Sequence, residues 1–393
     1  MIQVEEPVAV PPRGWALWNL GFRPFYLAAS VFAALSVMLW ACEYAGWLPG
    51  TYAQTPFRHA HEMLFGYTLA VVAGFLFTAV RNWTSLPTPT GGALMAIVLL
   101  WIAGRVMMVL PFDVAAAVVN AAFPLAVAVG IGRPIVRARN RRNYFFIILL
   151  VALAAAELLV HAAALRWLEL PPTFGLQLGL DIVLFIIVVM AGRIVPMFTN
   201  NGVPGAGATR NATVETFAHG TILALIAFDA LNIEGKAAMA LLGVAAIAHA
   251  ARWLLWRPWR TLRAPLVWVL HLAYLWVPIY LVLRILAIEG SIAPPWAIHA
   301  LTIGVIGGMT MGMMTRTARG HTGRSLQADR FEVAMYVLVM LAAVVRVFGP
   351  LVAGNSYVTT IVIAAMLWTG AFTLYAIRYW PVLTRPRLDG RPG

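Results

Sequence analysis

The chain has 393 residues, of which 62% are apolar and only 11% charged, with a mean hydropathy of +0.83; a soluble domain carries about 25% charged residues, so this composition excludes one. The formal net charge of +13 does not point to nucleic acid, because 27 of the 28 basic residues are arginines and they sit in short connections between apolar runs, where they set topology. Cys42 is alone and lies within an apolar run, which excludes a disulfide framework or a cysteine-built zinc site inside one chain.

The opening segment MIQVEEPVAVPP has two acids and no basic stretch ahead of the first apolar run, which argues against a cleaved signal peptide. A helix needs about 20 apolar residues to cross a bilayer. That window places spans near 24–45, 60–80, 92–110, 114–133, 143–165, 174–197, 216–232, 236–256, 264–288, 297–315, 331–349 and 356–379. The expected fold is therefore all-α, a polytopic membrane helix bundle of about 12 transmembrane helices forming a single integral membrane domain over 1–393. Summed on alternate sides, basic residues number 22 against 6. Positive residues mark the cytoplasmic face, so both termini are expected there.

The second span opens on the densest polar text of the chain, Arg58-His59-Ala60-His61-Glu62-Met63-Leu64-Phe65-Gly66-Tyr67. Imidazole suits haem iron and copper alike, and a thioether such as that of Met63 suits Cu(I) or a second haem position. Residues two apart do not share a helical face, so His59 and His61 hold one ion only if the helix starts between them. If it starts earlier, His59 pairs with Met63 at i+4 and His61 faces another partner. Glu62 is placed to orient an imidazole. An isolated H-x-H at a span boundary is more often interfacial and solvated than a site; His299, opening span ten at the same depth, shifts the balance toward a site.

Span five carries Glu157 and His161 at i+4, and span six carries Asp181. Acids inside a bilayer mark either a proton or cation route or a local ion pair. Spans two, six and ten close on related polar text around Arg81 with Asn82, Arg193 with Asn200 and Asn201, and Arg316 with His321. The three arginines are 112 and 123 residues apart, the spacing that a threefold repeat of four helices would produce; a tendency of Arg and Asn to cluster at span ends would produce it too. These arginines suit haem propionates, lipid phosphates or the positive-inside bias alone. His219, His249, His271 and His321 form an inner histidine group, of which His219, His271 and His321 are the second choice for holding a metal.

In span ten, His299, Ile303 and Ile306 fall on one stripe, while Gly304, Gly307 and Gly308 leave a bare face for helix packing or for a flat cofactor. Met309, Met311, Met313 and Met314 serve as polarizable filler or as ligands. No phosphate-binding G-x-x-x-x-G-K-[ST] loop, C-x-x-C-H haem attachment or H-E-x-x-H helix is present, which excludes an ATP-driven pump, covalent haem and that zinc chemistry.

The strings G-F-R-P-F-Y from Gly21, H-x-H-E-M-L-F-G from His59, R-N-W-T from Arg81, G-R-I-V-P-M-F-T-N-N from Gly192, and H-A-L-T-I-G-V-I-G-G-M from His299 through G-H-T-G-R ending at Arg324 resemble the NnrS family over nearly the whole chain. The resemblance implies a multi-pass protein of the bacterial inner (cytoplasmic) membrane that contains haem and copper and is linked to nitric oxide metabolism, denitrification and the nitrosative stress response. The four-helix period also resembles the twelve-span layout of haem-copper oxidases, but the absence of an adjacent His-His pair argues against an oxidase-type copper centre.

The expected metal ligands are His59, His61 and His299, with Arg58, Glu62, Met63, Arg81, Arg193 and Arg316 around the cofactor. The expected cofactors are haem b and copper. The expected partners are the lipid bilayer, nitric oxide or another small diatomic, and an electron donor. No residue is assigned a catalytic step. Two other classes compete: a secondary transporter with Asp181, Glu157 and the inner arginines as its pathway, and a haem-free sensor or assembly factor acting through partner proteins.

Overall fold

A computed structural model describes residues 14–49, 56–111, 113–353 and 356–390; Arg13, Arg391 and the opening segment lie outside them. Among the described residues every regular element is helical. In chain order the helices are α1 (Phe22–Tyr44), α2 (Phe57–Thr84), α3 (Gly91–Met107), α4 (Asp113–Arg137), α5 (Phe145–Ala164), α6 (Pro172–Gly202), α7 (Ala212–Ala230), α8 (Lys236–Leu255), α9 (Pro265–Ile288), α10 (Pro294–His321), α11 (Arg330–Ala353) and α12 (Tyr357–Thr384). Ten are long and apolar enough to cross a membrane; α3 is shorter, and α7 carries Glu215, His219 and Asp229. The chain is thus a multi-pass membrane protein.

Local sequence explains the boundaries. Proline opens α6, α9 and α10, where its missing N–H leaves nothing unsatisfied. The Asn211 side chain caps α7 by accepting from the Val214 N–H. α6 and α10 run on to Gly202 and His321, past the apolar windows that end near 197 and 315. Within these polar tails the hydroxyls of Thr199 and Thr315 are satisfied by bonding back to the carbonyls of Val195 and Met311. The Asn200 amide then clamps the following loop through both the N–H and the C=O of Ala208.

Leu35, Leu99, Val118, Ile148, Ile247 and Ile377 are exposed, giving the bundle an apolar outer surface suited to acyl chains. Trp47 and Trp167 are exposed in the connections at one end, and Trp15, Trp259 and Trp380 near the other, the positions of interfacial aromatic belts. Inside, α2, α6, α9 and α10 are 72–83% buried, against 39–56% for the other long helices, so they form the centre. α2 touches α6, α6 touches α10, and the Tyr67 hydroxyl of α2 meets that of Thr310 on α10 at 2.5 Å. The outer ring closes where α1 packs on α12. There the buried Arg23 donates to the carbonyls of Leu383 and Arg385 at 2.9 and 2.8 Å, and the Ala16 N–H donates to Thr384.

Far from that seam, Arg252 of α8 is fully buried and ties four helices together. It donates to both oxygens of Glu215 on α7 at 2.8 and 2.6 Å, to the Val188 carbonyl of α6 and to the Tyr274 hydroxyl of α9. Gly192 makes this possible, because a Cβ there would collide with the guanidinium. Removing one member of such a buried pair costs about 3–5 kcal/mol. Arg252→Met is therefore expected to lower the thermal denaturation midpoint of the detergent-solubilised protein far more than Arg139→Met, which alters an exposed connection; equal midpoints would contradict this.

Candidate functional site

At the end of the bundle where α2 and α10 begin lies a cavity of about 350 Å³, walled by α1, α2, α6, α10, α11 and α12. Its lining is mostly aliphatic and aromatic, including Trp40, Tyr67 and Trp368, with few polar groups; His59 and His299 supply its imidazoles and Arg346 its guanidinium. A largely apolar concavity with a few convergent polar atoms is the usual form of a small-molecule or cofactor site, at about 300–1,000 Å³.

Both histidine-bearing helices change period beside this cavity. α2 winds as a π-helix over Glu62–Thr68, directly after His61, and α10 does so over Ala300–Gly307, directly after His299. The wider turn presents Met63 and Tyr67 from one wall and Thr302 and Ile306 from the other. Such segments cluster at functional sites because they shift side chains out of α-helical register.

The His59 ring stacks on Trp40, centroids 4.1 Å apart, and its buried Nδ1 has no hydrogen-bond partner. On His299, Nδ1 donates to the Pro295 carbonyl at 2.6 Å, an arrangement that fixes the tautomer and leaves Nε2 as a lone-pair donor. Arg346 donates from Nη2 to the Tyr357 hydroxyl at 3.1 Å, while its buried Nη1 has no partner. Two imidazoles and an incompletely paired guanidinium around an aromatic-walled space are groups that could hold a haem: His59 or His299 would offer a nitrogen to the iron, and Arg346 a cation to a carboxylate.

α2 already begins before His59, so the two rings of the H-x-H text diverge. His61 is fully buried and faces away from the cavity, toward α5. Its Nδ1 donates to Glu62 Oε1 at 3.0 Å, and that oxygen also accepts from Arg105 of α3 at 2.7 Å. Arg105 in turn donates to the Asn120 side-chain oxygen on α4, which is aimed by a bond from Asn120 to the Ala116 carbonyl. On its other side, His61 Nε2 lies 3.5 Å from Glu157, and the His161 ring centroid is 4.9 Å away. His61 Nε2, both oxygens of Glu157 and His161 Nε2 are buried without a hydrogen bond.

Of the remaining expected residues, Met63 alone lines the cavity. Arg58 is half-buried, and Arg81 is 22 residues beyond His59 on the same helix, about 33 Å along its axis at 1.5 Å per residue. Arg193 donates to Asn143 at 2.7 Å over Phe145 and Phe146, and Arg316 stacks on Phe198 at 3.8 Å. The arginine at the cavity is Arg346, one of the six basic residues on the less basic side of the charge sum and marked by no motif.

The inner histidines do not converge on one point. His219 approaches Arg252, His249 bonds the Tyr274 hydroxyl, His271 bonds Thr199, and His321 packs on Phe22. Asp181 accepts from Gln177 and lies 4.0 Å from Arg284, which is held bidentately by Asp229. Gly304 and Gly307 of α10 give room to Trp276 and Trp368, so they serve packing; none of Met309, Met311, Met313 and Met314 lines the cavity.

A family model described as NnrS protein matches residues 16–387. No curated protein matches the chain.

Gly66 lets Arg105 cross α2 to reach Glu62, since a Cβ there would stand 2.6 Å from the guanidinium Nη1 and 2.8 Å from Phe32. Overpacking of this kind costs about 1–3 kcal/mol. Gly66→Ala is expected to lower the melting temperature measurably, while Gly220→Ala, with nothing within 4 Å of the added methyl, leaves it unchanged or raises it. Identical melting curves would show that Arg105 does not depend on this passage.

Proposed function

The chain belongs to the NnrS family, and on that premise we propose that it is a haem- and copper-binding protein of the bacterial inner membrane that takes up nitric oxide, or relays electrons or metal for its removal, in the nitrosative stress response. In this reading the helices α1–α12 give about twelve spans, and the arginine bias puts both termini in the cytoplasm.

The observation that carries the reading is the pairing of His59 and His299 across one apolar cavity, each with a nitrogen left free of protein hydrogen bonds or directed by one. Bound haem would supply an iron able to bind a diatomic gas. The chain's own groups do the rest. Trp40 holds the His59 ring by stacking, Pro295 holds the His299 tautomer, and Arg346 offers positive charge to a carboxylate at the wall. The aliphatic lining keeps the space dry, which suits a small uncharged gas that reaches it through the surrounding hydrocarbon. Tyr67 lines the cavity, and its hydroxyl is paired with that of Thr310 on α10.

Visible spectroscopy of the protein purified in detergent tests this directly. A Soret band is expected in the native protein, lost or strongly shifted in His59→Ala and His299→Ala. Arg346→Ala should weaken haem retention, and Arg81→Ala and Arg316→Ala should leave the band intact. A colourless preparation, or a band indifferent to both histidines, would remove the cavity from consideration.

A further inference from the structure

We propose that His61, Glu157 and His161 form a binding site for a single divalent transition-metal ion of borderline softness, separate from the cavity between His59 and His299. The inference deepens the copper part of the reading above by giving the ion its ligands, and it is independent of the haem part.

The first support is geometric. One ligand atom from each of the three residues lies within 4.8 Å of the other two. Ligand bonds to such an ion are about 2.0–2.2 Å long, so donor atoms around it stand roughly 3–4 Å apart. Small side-chain rotations therefore bring the trio onto one centre. Glu157 and His161 are one helical turn apart on α5 and share a face, and His61 of α2 meets that face.

The second support is polar satisfaction. His61 Nε2, His161 Nε2 and both Glu157 oxygens are buried without a hydrogen-bond partner, the nearest approach being the 3.5 Å between His61 Nε2 and Glu157 Oε1. Buried polar atoms are rarely left unpaired, and a cluster of unpaired ligand atoms is what a cation would satisfy.

The third is charge. Glu62 is already neutralised by Arg105, whereas among the described residues Glu157 pairs with no arginine or lysine. An isolated carboxylate inside a bilayer is costly, and a divalent cation offsets it. The fourth is the support behind the ligand: His61 Nδ1–H to Glu62, Glu62 to Arg105, Arg105 to Asn120. A carboxylate behind a ligating imidazole fixes its tautomer and raises its basicity, and here that carboxylate is itself anchored across three helices. Two imidazoles and one carboxylate, without thiolate, suit copper(II) or zinc(II), with copper the tighter in the general order of divalent affinities.

The competing arrangement is a protonated His61 bridging Glu62 and Glu157 with no metal. The two are separated by metal analysis of the full-length protein purified in detergent after growth with added copper(II) or zinc(II). One equivalent of either ion per chain is expected, absent from His161→Asn and Glu157→Gln. Glu62→Gln should retain the ion but bind it about 10–100-fold more weakly in a chelator competition. With copper(II), electron paramagnetic resonance should show nitrogen superhyperfine structure that simplifies in His161→Asn. Size-exclusion elution of each variant as the native species certifies folding. A native protein that holds neither ion after both supplements, or an ion retained unchanged in both ligand variants, overturns the proposal. The haem reading fails separately, through a Soret band missing while the ion is present; zinc without copper would sink the copper reading and leave the site standing.

Discussion

A charge buried in hydrocarbon has to meet its counterion within the protein, and the architecture of this bundle follows from how that is done. Two arginines, Arg105 and Arg252, lie across neighbouring helices at glycines, Gly66 and Gly192, to reach glutamates. Each ion pair joins helices that apolar packing alone would leave free to slide, since lipid competes with side chains for apolar contact. Arg252 secures α6 to α9 around one point. Arg105 does the equivalent for α2, α3 and α4, and its glutamate also holds His61 in place. Stability and site geometry therefore rest on the same interaction at the histidine-bearing end.

Much of the fold was legible because membrane helices announce themselves by length and uniform apolarity, and because prolines and short arginine-bearing connections punctuate them. The common depth of His59 and His299 was legible too, and the cavity they line follows from it. What could not be read was rotation. Whether His59 and His61 point together or apart depends on where α2 begins, which the hydropathy window set near residue 60 and the structure places before His59. The π-helical turns after His61 and His299 shift register again, and no composition signal marks them. Arg81, Arg193 and Arg316 drew attention through their shared motif text, yet they stand at the opposite end from the cavity. Arg346 and Arg105 carried no motif and were visible only as exceptions to the charge bias. That an arginine sits on the disfavoured side was the available clue, since such a residue must have a partner to be tolerated.

The H-x-H text thus resolves into two environments built from one turn of helix. His59 belongs to an open, aromatic-walled space, and His61 to a closed polar nest of carboxylates and a guanidinium. Two residues of helix rise only about 3 Å. A change in the tilt or winding of that turn is felt in both places at once, and the adjoining π-helical segment, with its looser hydrogen bonding, is where such a change is accommodated most cheaply.

The seam between α1 and α12 has a bearing on biogenesis. Arg23 and Ala16, near the start of the chain, find their acceptors on Leu383, Thr384 and Arg385, some 360 residues later. Those acceptors are made last, so α1 meets its neighbour at this seam only after α12 has been synthesised.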